Sequence, residues 1–144
     1  MYAEILSSIC TGLFAGAALY VSLVEQPARM ACPIPVALAA VRVIAAAVMQ
    51  VILAIGCVAG AIAAYYLGRG ISSLVAGIVL ATVVPWTLIV IMPVNRRLMD
   101  ESRTSETPET DVLLKKWGRL HNVRTIASIL ALVILGANIL GLVR

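Results

Sequence analysis

Four apolar stretches dominate the chain, at roughly 4–24, 42–67, 71–93 and 122–143. Each is long enough to cross a hydrocarbon core of about 30 Å, which takes about 20 helical residues. In lipid, a helix is the form in which one such stretch satisfies its own backbone. The pattern predicts an all-α fold: an antiparallel four-helix transmembrane bundle, one integral membrane domain over residues 1–144, with a single sizeable polar loop at about 97–119. Small residues recur every fourth position in helix 1 (Ser8, Gly12, Gly16) and in helix 2 (Gly56, Gly60, Ala64, Gly68). Such stripes let helix backbones approach closely, so they predict compact packing and imply no chemistry. Gly68 and Gly70, followed by Ser72 and Ser73, mark a tight turn.

Composition agrees with this pattern. The chain is 62% apolar and 12% charged, against roughly 25% charged in soluble domains. The first apolar stretch lacks the basic flank of a signal peptide, because Glu4 is the only charge before Glu25, so it is read as a retained helix. Nine of the eleven basic residues fall on one side of the predicted spans: Arg29, Arg42, Arg96, Arg97, Arg103, Lys115, Lys116, Arg119 and Arg124, against Arg69 and Arg144. The positive-inside rule makes that side cytoplasmic, in an inner or plasma membrane, with both termini outside. The net charge of +4 is thereby a topology signal and requires no nucleic-acid partner. Cys10, Cys32 and Cys57 are scattered, which disfavours a disulfide framework or a paired-thiol oxidoreductase.

The cytoplasmic mouth of such a bundle collects Glu25, Arg29, Arg42, Gln50, Trp86, Asn95, Arg96, His121, Arg124 and Thr125. Ionisable residues at membrane depth cost about 2.5–3.5 kcal/mol each on insertion scales, so they face the interior and pair. Glu25 and Arg29 are four apart, at pairing distance on a helix, although Pro27 between them is expected to bend or end it. Trp117, His121, Arg124, Thr125 and Ser128 share one helical stripe. If that stripe faces inward, it forms a polar pocket capped by cations. His121, the only histidine, suits proton transfer near neutral pH, but a lone histidine is also commonly a satisfied structural group. Arg96, Arg97, Lys115, Lys116 and Arg119 are most simply topology anchors. One histidine and no close carboxylate pair cannot build a zinc or di-iron centre, and no metal site is expected.

Helix 1 ends in Glu25-Gln-Pro27-Ala-Arg29 and helix 3 in Met92-Pro93-Val-Asn95-Arg96, a faint internal symmetry. Taken in order, the run from Gly12 to Arg29, then Met49-Gln50, then Pro93-Val-Asn95-Arg-Arg-Leu98, then Trp117-Gly-Arg-Leu-His121-Asn-Val-Arg124-Thr125 resembles the anthrone oxygenase-like family of small four-helix membrane proteins. The combination of E-x-P-A-R, P-x-N and W-x-x-L-H-x-x-R-T carries the resemblance. Its named members are similar to cofactor-free oxygenases that turn anthrones into anthraquinones.

The resemblance implies oxidation of a phenolic or polycyclic substrate by O2, with no metal or flavin. It makes His121 the general base and Arg124 the cation that stabilises an enolate or superoxide. Glu25 would orient His121 or Arg29, Gln50 and Asn95 would bind substrate oxygens, and Trp86 and Trp117 would wall the ring, with Arg29 and Thr125 beside them. The stretch Pro33–Val48 departs from the aromatic and basic residues expected of the family there. The resemblance implies an aromatic or phenolic small molecule and O2 as partners; the bilayer is the partner that the apolar spans imply, and a homo-oligomer is left open as a further one. Two other readings stand beside the enzyme. One is a non-catalytic membrane subunit that binds lipid or a partner. The other is a small-molecule transporter, against which Glu25 counts because it sits at a helix end.

Overall fold

The computed structural model describes residues 2–43, 46–68, 70–100 and 108–143, with side chains for all of these except 41–43 and 46–49. Arg69, Arg103, Arg144 and the side chains of Arg42 and Met49 therefore lie outside the described residues. What is described is helical apart from short connections. Five helices appear among the described residues: α1 Tyr2–Met30, α2 Ile34–Val43, α3 Ala46–Tyr66, α4 Ile71–Met99 and α5 Pro108–Ile139. Three of them, α1, α4 and α5, are long and apolar enough to cross a membrane, consistent with an integral membrane protein.

Each of the four longer helices packs on two others: α1 on α3 and α5, and α4 on α3 and α5. Neighbours run in opposite directions. On α1, Gly12 meets Leu132 and Gln26 meets Gly118, and between α4 and α5 Ser72 meets Asn138 while Asn95 meets Trp117. The surface is apolar and the interior partly polar. Ile9, Leu13, Ile52, Ile55, Ile89 and Ile126 face outward, while Ser7, Thr11, Ser73, His121, Arg124 and Ser128 are buried. This inversion suits a lipid environment, where burying apolar surface gives no preference for the inside and hydrogen bonds between helices help to hold them together.

The helix ends differ from those the sequence predicts. Helix 1, expected to close near 24, runs to Met30, and the third span, expected to close near 93, runs to Met99. Both pass through a proline, Pro27 or Pro93, that follows a single π-helical turn, at Val21–Glu25 and Thr87–Ile91 respectively. Proline lacks an N–H and its ring collides with the carbonyl four residues earlier; the wider turn leaves room for the ring without ending the helix. The two exits thus share a backbone device as well as a sequence pattern. The last helix begins at Pro108 instead of 122, so much of the expected loop at 97–119 is helix. The polar stretch Pro108–Trp117 masked this, because Leu113, Leu114 and Trp117 are its buried face and its charges its exposed one.

The small-residue stripes are used unequally. A side chain at Gly60 meets the backbone of α1, with Ala3 O and Ser7 N both 2.9 Å from an added Cβ, and one at Gly56 meets Cys10 Sγ at 2.7 Å. At Gly16 an added Cβ meets nothing within 4 Å. Two polar clamps fix the end of the molecule away from the site. Thr11 donates to Cys57 Sγ at 2.8 Å while Ser7 donates to the Cys57 carbonyl at 3.1 Å, and Asn138 joins Ser72 and Ser73 at 2.8 and 2.9 Å. Cys10, Cys32 and Cys57 are free thiols.

Replacing Gly60 by leucine is expected to lower unfolding stability by about 1–3 kcal/mol, the usual range for overpacking. Gly16→Ala should be neutral or slightly stabilising, because alanine favours the helix interior. Thermal midpoints in detergent check this; equal midpoints for the two variants would show that the α1–α3 approach is not close.

Candidate functional site

The site grows from one face of α5. Trp117, His121, Arg124, Thr125 and Ser128, one helical stripe in the sequence, are all buried, at 8% exposure or less. Gly118 lies beside them because the Gln26 side chain crosses α5 there, and an added Cβ would come within 2.8 Å of its Nε2. Gln26 donates to the Leu114 carbonyl at 3.1 Å and accepts from Arg29 at 3.2 Å, tying the end of α1 to the start of the stripe.

Around this stripe the polar residues divide into two groups. The first is a stack. Arg29 pairs with Glu25 and lies over the Trp117 indole, 5.0 Å from its centroid, and Trp117 stacks on His121 at 5.0 Å with 15° between the planes. The indole N–H donates to Asn95 at 2.6 Å. His121 Nε2 lies 3.4 Å from the Ala18 carbonyl. A carbonyl only accepts, so this contact places the ring proton on Nε2 and leaves Nδ1 as a bare acceptor. Nδ1 is buried with no hydrogen-bond partner among the described residues. Thr125 donates to the same Ala18 carbonyl at 3.1 Å and meets Ser22 at 2.7 Å.

The second group is centred on Arg124. Its guanidinium donates to Gln50 Oε1 and sits 5.6 Å from the centroid of the Phe14 ring. Its Nε–H is buried and has no partner among the described residues. No carboxylate from the described residues pairs with it, so its charge is held by an amide dipole and an aromatic face.

Arg124 also forms part of the walls of two clefts. One, of about 100 Å³, lies between α3 and α4 and is lined by Phe14, Gln50, Val51, Ala54, Val83, Val84, Thr87, Leu88, Met92 and Arg124. The other, of about 120 Å³, lies between α4 and α5 and includes Trp86, Val123 and Ala127. They flank α4 where it is least regular, at the Thr82 turn, Pro85 and the π turn at Thr87–Ile91. Among the described residues no three His, Cys, Asp or Glu side chains converge on a metal position.

The sequence model of the anthrone oxygenase family matches residues 42–134, well over half of the chain. This chain belongs to the anthrone oxygenase family. Neither a curated protein nor a solved structure matches it. The family match takes in Gln50, Trp86, Asn95, Trp117, His121, Arg124 and Thr125, while Glu25 and Arg29 precede it.

Against the roles implied by family resemblance, the structure distributes the residues unevenly. Glu25 contacts Arg29. Asn95 Oδ1 is occupied by the Trp117 indole and Gln50 Oε1 by Arg124. Trp86 lines the α4–α5 cleft and donates to the Leu120 carbonyl at 3.2 Å, while Trp117 is enclosed in the stack. His121 lines neither cleft. Phe14 and Gln26 are the site residues that the sequence reading passed over. Phe14 is the only phenylalanine in the chain and Gln26 lies inside the E-x-P-A-R motif, so each had a signal.

Gln50→Leu removes the acceptor of a buried charged donor and is expected to cost about 1.5–3 kcal/mol. Adding Arg124→Leu should recover most of that loss, because no uncompensated charge remains. Unfolding titrations of both single variants and the double variant measure the coupling; additive losses would contradict the pairing.

Proposed function

We propose that this chain is a membrane-embedded, cofactor-independent oxygenase that oxidises an activated CH2 of a phenolic or polycyclic substrate with O2. The observation that carries the reading is Arg124: a buried guanidinium that lines an apolar cleft and has no carboxylate partner among the described residues, in a chain of the anthrone oxygenase family. The frame of the reading is an antiparallel four-helix transmembrane bundle with the mouth cytoplasmic and both termini outside, supported by the bias of basic residues.

The chemistry needs three things from the protein. A base takes one proton from the substrate CH2, and the family resemblance assigns that role to His121, whose Nδ1 lone pair is bare but lines neither cleft. The resulting carbanion passes one electron to O2, and Arg124 stabilises the enolate and superoxide in a dry surrounding where a fixed cation is strongest. The two radicals join through a new C–O bond, and the imidazolium returns its proton to the peroxide. Loss of the second C–H proton breaks the O–O bond, forms C=O and releases water. Overall, CH2 and O2 give C=O and H2O.

The two residues are supported by different observations. Arg124 stands on the cleft and His121 on its bare nitrogen, one turn away on α5. Oxygen uptake by purified protein with an anthrone tests both. Arg124→Gln and His121→Ala are each expected to slow uptake by about 100-fold, the scale of a lost oxyanion donor or general base. Uptake that survives only in His121→Ala removes His121 from the reaction. Rates equal to the uncatalysed one in wild type and both variants overturn the oxygenase reading in favour of a non-catalytic subunit.

A further inference from the structure

The α3–α4 cleft has an apolar mouth on the outer surface of the molecule. Its lips are Val51, 50% exposed, and Leu88, 58% exposed, continuous with the outward-facing Ile52, Ile55 and Ile89. A water-filled approach would be expected to carry polar side chains, and these lips carry none. Behind them the floor is polar: Arg124 and Gln50. Gln50 has already given its carbonyl oxygen to one Nη of Arg124, which leaves the rest of the guanidinium, including an Nε–H without a partner among the described residues, as the charged donor at the floor. That donor calls for an oxygen acceptor, and a cation without a described carboxylate partner favours one that carries negative charge. Phe14, at the same floor, gives it a flat neighbour.

Size limits what can enter. An enclosed apolar void of about 150 Å³ is enough to hold benzene. At about 100 Å³ and open on its lipid side, this cleft takes about one ring. Only the oxygen-bearing end of a larger ring system can seat in it, with the rest lying between α3 and α4 in the bilayer.

We propose that the α3–α4 cleft is a lateral portal, through which a bilayer-dissolved aromatic molecule bearing a phenol-type oxygen presents that oxygen to the Arg124 guanidinium. The fate of the ligand rests on the oxygenase reading above; its binding does not. The portal also accounts for the irregular stretch of α4, since the π turn at Thr87–Ile91 sets the spacing of Thr87 and Leu88 along the cleft wall.

Photolabelling under argon separates binding from turnover. The full-length protein in lipid nanodiscs is irradiated with 4-azidophenol, or with azidobenzene, which lacks the oxygen, and labelled residues are mapped by mass spectrometry. The portal predicts that 4-azidophenol concentrates on Val51, Val84 and Leu88 at least fivefold over Ile9 and Ile126, while azidobenzene spreads over the lipid-facing surface. Arg124→Gln should abolish the concentration. Val51→Trp, a plug at the exposed lip that leaves Arg124 and Gln50 in place, should do the same without lowering the thermal midpoint. Uniform labelling by 4-azidophenol, or concentrated labelling that survives both substitutions, overturns the portal. Displacement by equimolar dodecanoate but not by unlabelled phenol overturns the aromatic assignment in favour of an acyl carboxylate. Because no O2 is present, an inactive protein that labels as expected leaves the portal standing, and an active protein that labels uniformly rejects the portal alone.

Discussion

The arrangement depends on how the charge of Arg124 is held. A guanidinium among apolar helices is costly, and the usual remedy is a carboxylate. Here the described partners are the carbonyl of Gln50 and the ring of Phe14, one from α3 and one from α1, so the cation draws three helices together without being neutralised. That choice has a chemical consequence. A salt bridge would quench the field of the cation, whereas an amide and a ring leave most of it available to a ligand.

The stack of Arg29, Trp117 and His121 complements this. Its charge is paired with Glu25 at the partly exposed end of α1, and its members occupy one another: the indole N–H on Asn95, the indole face under Arg29, the imidazole against the indole. Such a stack orients His121, whose Nε2 faces the Ala18 carbonyl. The two clefts that Arg124 lines lie along α4, where the helix is interrupted twice and cannot pack as a uniform rod, and a more open one of about 280 Å³ lies between α1 and α5 at Ser22, Gln26 and Gly118. Irregular backbone next to a buried cation is where a membrane protein can keep a cavity without exposing unpaired backbone to lipid.

Much of this was legible in the sequence, for identifiable reasons. Apolar length fixed where helices form, and 3.6-residue periodicity put Trp117, His121, Arg124, Thr125 and Ser128 on one buried face. The helix ends were not legible, because a proline beside polar residues at a span's exit reads as a stop and the π turns before Pro27 and Pro93 leave no mark in the sequence, while a charged amphipathic start such as Pro108–Trp117 reads as a loop. Which polar groups meet was the least legible. Glu25 was equally placed to reach His121 or Arg29, and only the turn at Val21–Glu25 and the crossing of Gln26 over Gly118 decide for Arg29. Phe14 was hidden for a different reason, since an aromatic in an apolar helix looks like any other lipid-facing residue until a cation is placed against it.

The central claim is the proposal that the Arg124 guanidinium receives an oxygen of the ligand, with its Nε–H as the reporter. The most direct test is the 1H–15N signal of that group, assigned by comparison with Arg124→Gln, in selectively labelled protein in nanodiscs under argon. The account predicts that the Hε resonance moves downfield on addition of 1-naphthol and stays in place with naphthalene. An Hε resonance that does not move with 1-naphthol, or that moves equally with both, would contradict it.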